Sequence, residues 1–253
     1  MREKREVDYS QDLVYSEASS KTNVYEPITD DCPYMAGRAG SPEFTTTRKL
    51  EGVRFMSLAQ CITQAKDFGI WLHERTNEKE YPNTIKNRTA HAIFQVSEDI
   101  ADAIIVLLGA QLPGPAWSLC RPLFEGYVRG FWLLKYASEE RVLSFMNGKG
   151  PDFGELRASI PKDAESVGAW IHATADKNLT FFHDLTHGGS EHVKRRIRVG
   201  SIEPTYPEPE LESLIKLGHE IRLRIGVELL SLLNDEEGLK ELHGRVQTFC
   251  SAP

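Results

Sequence analysis

A chain of 253 residues with 40% hydrophobic side chains can bury one sizeable core and a little more. Charged residues make up 26% and the formal net charge is −7, so bulk electrostatics give no basis for nucleic acid binding, and any basic footprint has to be local. The four cysteines (Cys32, Cys61, Cys120, Cys250) fall at neither metal-like nor redox-like spacing, which fits a reducing compartment.

Residues 1–50 are polar, rich in Ser, Thr, Asp, Glu, Tyr and Pro, and show no apolar period. They are expected to form a flexible segment ahead of a helical domain over 51–253. Gly40-Ser41-Pro42-Glu43-Phe44 resembles the translation of a cloning-site linker, so part of that segment reads as vector-derived, and everything before Thr45 stays out of the functional argument. No apolar signal core follows the N-terminus. The most apolar run, Ile100 to Ala110, is too short to span a bilayer and carries Asp102. A cytoplasmic protein with no membrane partner is the expectation.

From Met56 the apolar period is helical. Ser57 with Gln60 fits a capping box, and Leu58, Cys61, Ile62, Ala65, Phe68 and Leu72 define a first helix to about Arg75. A second helix follows Pro82, with Ile93, Val96, Ile100, Ile104 and Leu107 as its stripe and Gln95, Glu98 and Asp102 opposite. Its end, around Ile104 to Leu108, is apolar nearly all round and predicts cover, inside the bundle or at a homodimer contact. A third helix is read from about Pro115 to Ala137, and Ser138 with Glu139 and Glu140 opens a short fourth. The Gly- and Pro-rich stretch 148–162 reads as a loop with about one helical turn. Another long helix covers about Lys162 to His187 and stops at Gly188-Gly189. After a basic run, His192 to Arg198, and a Pro-rich turn, a last long helix runs from near Pro209 to near Leu233, and a final one continues to Phe249. No run alternates as a sheet strand should. The fold class is all-α, a bundle of about five to seven helices.

The third helix carries the most informative charges. At about 100° per residue, Trp117, Arg121, Glu125, Val128 and Trp132 share one stripe, so Arg121 and Glu125 sit one turn apart on an apolar face. Buried charges are rare unless paired. Two readings follow: an internal pair that fixes helix packing, or the polar floor of a ligand pocket. Pro122 marks a kink or a helix start nearby. Arg222 likewise falls inside the apolar stripe of the last long helix. It either snorkels to solvent or finds an acceptor, and Glu125 is the one carboxylate placed on an apolar face. His183 and His187 have the i, i+4 spacing that can put two ligands on one metal, but they lie opposite the apolar stripe and lack a fixed third ligand. No metal or cofactor is expected, and His187 reads as a helix-end histidine. The run Lys194-Arg195-Arg196-Ile197-Arg198 is either a solvated face or an RNA contact, without interleaved aromatics to stack bases.

Arg121-Pro-Leu-Phe-Glu125-Gly-Tyr127-Val-Arg129-Gly130, the Thr186-His187-Gly-Gly turn, Arg195-Arg196 and Glu203-Pro-Thr-Tyr206 together resemble a family of uncharacterised bacterial helical proteins of unknown function, over about Leu58 to Leu233. The resemblance implies a fold and a bacterial origin but no reaction. More distantly the layout is similar to the HEPN superfamily, whose ribonuclease members use an Arg followed by a His after four to six intervening residues. None of the eight histidines here has that spacing. The leading expectation is a non-catalytic binding or interaction module. The alternative is a HEPN-like ribonuclease or toxin-type enzyme of bacterial defence or a mobile element. Arg121, Glu125, His187, Arg195 and Arg222 are the candidate ligand-binding residues. The expected partners are a second copy of the chain, a small anionic ligand or RNA. Convergence of these residues in one open pocket favours the enzyme; dispersal favours the module.

Overall fold

The computed structural model describes residues 57–163, 165–198 and 201–250. The polar segment 1–50 and the linker-like Gly40 to Phe44 lie outside the described residues. Ten helical segments are present among the described residues: α1 Leu58–Thr76, α2 Ile85–Gly109, α3 Pro113–Ser118, α4 Cys120–Lys135, α5 Glu139–Met146, α6 Phe153–Ala158, α7 Glu165–Thr186, α8 Ser190–Lys194, α9 Glu208–Leu232 and α10 Glu236–Cys250. Three of them (α3, α6 and α8) are little more than single turns, so the architecture is the all-α bundle that the periodicity implies.

Local chemistry sets the boundaries. Ser57 and Gln60 form the reciprocal capping box at the start of α1, and Ser138 caps α5 through the Arg141 amide. Gly188, at φ +67°, supplies the left-handed residue that ends α7. The single third helix read from the sequence is two helices. The chain breaks at Leu119, and Pro122 sits in the first turn of α4, where its missing N–H would have had no intrahelical partner. The ladder resumes with the Leu123 amide donating to the Leu119 carbonyl at 3.0 Å.

Helix α4 is the central element. Phe124, Tyr127 and Trp132 are fully buried, and Phe124 meets Phe153, Trp170 and Phe182 edge-on. It packs along α2 at close range because Gly126 and Gly130 face that helix. A Cβ added at Gly126 would stand 2.6 Å from Ser97 Oγ. The end of α2 is covered within the monomer: Ile104, Ile105 and Leu108 are buried. Val106, on the outer side, is 67% exposed, so the stretch is amphipathic rather than apolar all round. A smaller apolar cluster joins α1, α9 and α10 through Phe68, Leu72, Leu230 and Leu242.

The sequence offers no strand, yet one short hairpin forms: β1 Ile197–Arg198 pairs antiparallel with β2 Ser201–Ile202. Both cross-strand isoleucines are exposed, and two residues per strand leave the fold class unchanged.

Candidate functional site

The two turns of α4 that follow Pro122 carry the first polar constellation. Arg121 Nε donates to Glu125 Oε1 at 2.6 Å, and Arg129 Nη2 reaches Glu125 Oε2 at 3.4 Å from the turn below. One carboxylate, 16% exposed, therefore holds two guanidinium groups that are 23% and 33% exposed. The pair stands at the rim of the core and not within it. Arg121 also donates through Nη1 to His183 Nδ1 on α7. A guanidinium only donates, so that nitrogen carries the lone pair, and the His183 proton sits on Nε2. His183 stacks on His187 with ring centroids 4.4 Å apart, and both rings are exposed. The α4–α7 face thus presents two arginines and two histidines around a single carboxylate. Arg129 Nε is buried there without a hydrogen-bond acceptor.

Of the five residues singled out from sequence, Arg121, Glu125 and His187 come together on this face, the last by way of His183. Arg195 does not join them. It is bound by Glu191 at 2.6 Å and Glu210 at 3.0 Å and lies over the Phe181 ring. The Glu191 bond stays within this segment, while the Glu210 bond ties it to α9 and the ring contact ties it to α7.

Arg222 forms a third centre, and its expected pairing with Glu125 is not made. It is 1% exposed and lies against α2, not α4. Nη2 donates to Asp102 Oδ1 at 2.5 Å and to the Glu98 carbonyl at 3.1 Å; Nη1 donates to the Ala65 carbonyl at 3.3 Å; Nε faces Glu98 Oε2 at 3.1 Å. Gly69 makes room for the guanidinium, since a Cβ there would stand 2.8 Å from Nη1. Glu98 therefore turns inward at the edge of the α2 stripe instead of lying opposite it. Burial pushes its carboxyl up to about 7, although Arg222 pulls the other way. His219, one turn before Arg222, is buried edge-on to Phe68. Burial, with Arg222 beside it, drives its imidazole down to about 3, so it stays neutral.

A fourth grouping went unread in the sequence, because its members are 74 and 88 residues apart. His192 on α8 is held from three sides. Nε2 lies 2.6 Å from the Leu185 carbonyl and 3.1 Å from Ser118 Oγ, and Nδ1 lies 3.3 Å from the Tyr206 hydroxyl. The Ser118–His192 contact has the outline of a nucleophile and its base. The Leu185 carbonyl removes that role: it accepts only, so Nε2 carries the proton and cannot take one from Ser118. Beside this seam an open cleft of about 510 Å³ is bordered by Pro115, Ser118, Gly188, His192, Val193 and Arg196. In the basic run Lys194 pairs with Glu191, Arg195 with Glu191 and Glu210, and Arg198 with Glu203. Arg196 pairs with no carboxylate among the described residues.

Thiol chemistry finds no support at the described cysteines. Cys61 and Cys120 are buried, and burial pushes the Cys120 thiol up to about 12. Among the described residues no group of three His, Cys, Asp or Glu side chains is placed to hold a metal ion. No described helix is long and apolar enough to cross a membrane.

Residues 94–251 match a family of unknown function, DUF6988. The chain belongs to this family. The matched segment begins inside α2 and contains the whole α4–α7 face, the Glu98–Arg222 centre and the cleft, while α1 lies outside it. No curated protein and no solved structure matches the chain.

Proposed function

We propose that the protein is a non-catalytic binding module whose α4–α7 face takes up a small anionic ligand. The observation that carries this reading is the two-to-one ratio of arginine to carboxylate at Glu125. Arg121 and Arg129 share one carboxylate, so positive charge and donor capacity are left over on a face that solvent reaches. Their planar forks suit carboxylate or phosphate, and His183 Nε2–H and His187 extend the same donor surface. Glu125 acts as the positioning group, fixing both guanidinium planes.

The separation of Arg195 and Arg222 from the other three candidates supports a module over an enzyme. Arg195 and Arg222 are tied into separate ion-pair networks, the histidine beside Ser118 has its proton on the wrong nitrogen, and the Cys61 and Cys120 thiols are buried. A ribonuclease would need an acid and a base around one reacting phosphate.

The test is calorimetric titration with inorganic phosphate, acetate and a short single-stranded RNA. Arg121→Gln with Arg129→Gln should weaken binding of phosphate or acetate by about tenfold or more, the loss expected for charge-assisted bonds. Tight RNA binding together with RNA cleavage would favour the ribonuclease alternative. Small-anion affinity unchanged in the double variant would refute the face as the site.

A further inference from the structure

From the cleft beside Ser118 and His192 we infer a second small-ligand site, independent of the α4–α7 face, that accepts an apolar body ending in one oxyanion.

Its floor is preorganised and its polar atoms are already engaged. His192 donates to the Leu185 carbonyl and accepts from the Tyr206 hydroxyl. The Ser118 proton goes to the Gly114 or Leu185 carbonyl, each 3.2 Å away. A sugar or another polyol would find the Ser118 and Tyr206 protons already committed, so its hydroxyl groups would gain no donor from either. The walls formed by Pro115 and the half-open Val193 side chain are apolar. A bare inorganic ion would leave them wet. Arg196 is the exception. It stands at the rim without an acidic partner among the described residues, while its neighbours Lys194, Arg195 and Arg198 all have one. Arg196 Nη2 and the Tyr206 hydroxyl stand on the same wall, 3.6 Å and 3.0 Å from where a Cβ at Gly114 would lie. A ligand lying along Pro115 and Val193 would thus bring its charged end to the Arg196 fork. The cleft is open to solvent, and its volume of about 510 Å³ leaves room for a small aryl body. Carboxylate and phosphate monoester share the chemistry an arginine fork reads.

The experiment is an amide-resolved NMR titration of the full chain with four probes: phenylacetate, phenyl phosphate, acetate and benzyl alcohol. Phenylacetate or phenyl phosphate should bind saturably, with shifts centred on the Gly188 and Val193 amides, and at least about tenfold more tightly than acetate or benzyl alcohol. The tighter of the two aryl anions assigns the oxyanion. Arg196→Gln, at an exposed position that the fold does not need, should remove about the same tenfold, whereas Arg121→Gln should leave this binding intact. Three outcomes would overturn the site: shifts spread over the surface without saturation, acetate matching phenylacetate, or Arg196→Gln binding as the parent does. Loss of binding in the Arg121 variant would merge this site with the α4–α7 face and refute its independence.

Discussion

Replacing Arg222 by Met tests whether the buried guanidinium joins three helices or merely occupies space between them. Met keeps an unbranched stem and removes the charge. In the parent, the guanidinium faces two carboxylates on α2 and two backbone carbonyls, one on α1 and one on α2. The variant leaves both carbonyls without this donor and strips the counter-charge from Glu98. Removing one partner of a buried ion pair costs roughly 3–5 kcal/mol. Asp102 is 62% exposed and can be resolvated, so its share of the loss is small. Glu98, whose carboxyl is already raised to about 7, escapes part of the penalty by taking a proton. The loss should therefore stand near the upper figure at pH 8 and fall by about 1–2 kcal/mol at pH 5, as Glu98 becomes neutral. For a domain of this size the loss at pH 8 corresponds to a Tm lower by roughly 10–20 °C. Urea titration followed by helical circular dichroism measures it. Adding Glu98→Gln should recover part of the loss at pH 8, because no buried charge is then left unmatched. A loss under about 1 kcal/mol at pH 8, or a loss with no pH dependence, would refute the account.

Three further outcomes follow from the same geometry. Glu98→Gln in the parent should flatten the pH dependence of stability. Because the folded carboxyl is raised from its ordinary 4.5 to about 7, the folded state binds the proton more tightly, and stability drains away as pH rises from about 4.5 to about 7; urea titrations at pH 5 and pH 8 should differ by about 2–3 kcal/mol less in the variant. Gly69→Ala should destabilise by about 1–3 kcal/mol despite the better helix propensity of Ala, since the methyl meets Arg222 Nη1, and it should turn neutral or stabilising in the Arg222→Met background; equal effects in both backgrounds would sink this. His187→Ala should change stability by under about 0.5 kcal/mol, because the ring is exposed and its neighbour His183 keeps the Arg121 contact; a larger loss in Tm would make it a structural residue.

The all-α architecture was legible because period and caps agree along the chain. Ser57 with Gln60, Ser138, and Gly188 each sit where a helix starts or stops, and local hydrogen bonding alone decides those positions. The Arg121–Glu125 pair was legible for the same reason, as both partners lie on one helix at fixed spacing. Extending the arithmetic one more turn would have found Arg129. The break at Leu119 was hidden because Pro122 fits equally well into a first turn or a kink. The hairpin was hidden because two residues per strand are too few to show a period. The Ser118–His192–Tyr206 grouping depends on where the turn after α7 delivers α8, and no single-helix pattern encodes that.

Arg222 shows where helical-wheel reasoning loses its hold. A wheel says that a cation points inward; it does not say which neighbouring helix supplies the anion. Glu125 looked like the natural acceptor because it was the single carboxylate drawn on an apolar stripe. A stripe has edges, however, and Glu98 occupies one: its backbone belongs to the outer half of α2, but its carboxylate swings beneath the Arg222 guanidinium. Two further facts make that choice stable. Gly69 opens space on α1 that any other residue would fill, and Glu125 is already saturated by two arginines of its own helix. A third cation at Glu125 would add repulsion without adding an acceptor. The arginines thus divide between two sets of carboxylates: Arg121 and Arg129 go to Glu125 at the surface, and Arg222 to the α2 pair inside. The consequence is a division of labour. The inner centre is locked by packing and serves stability, while the outer one keeps unspent donors on a solvent-facing edge, which is where a ligand can use them.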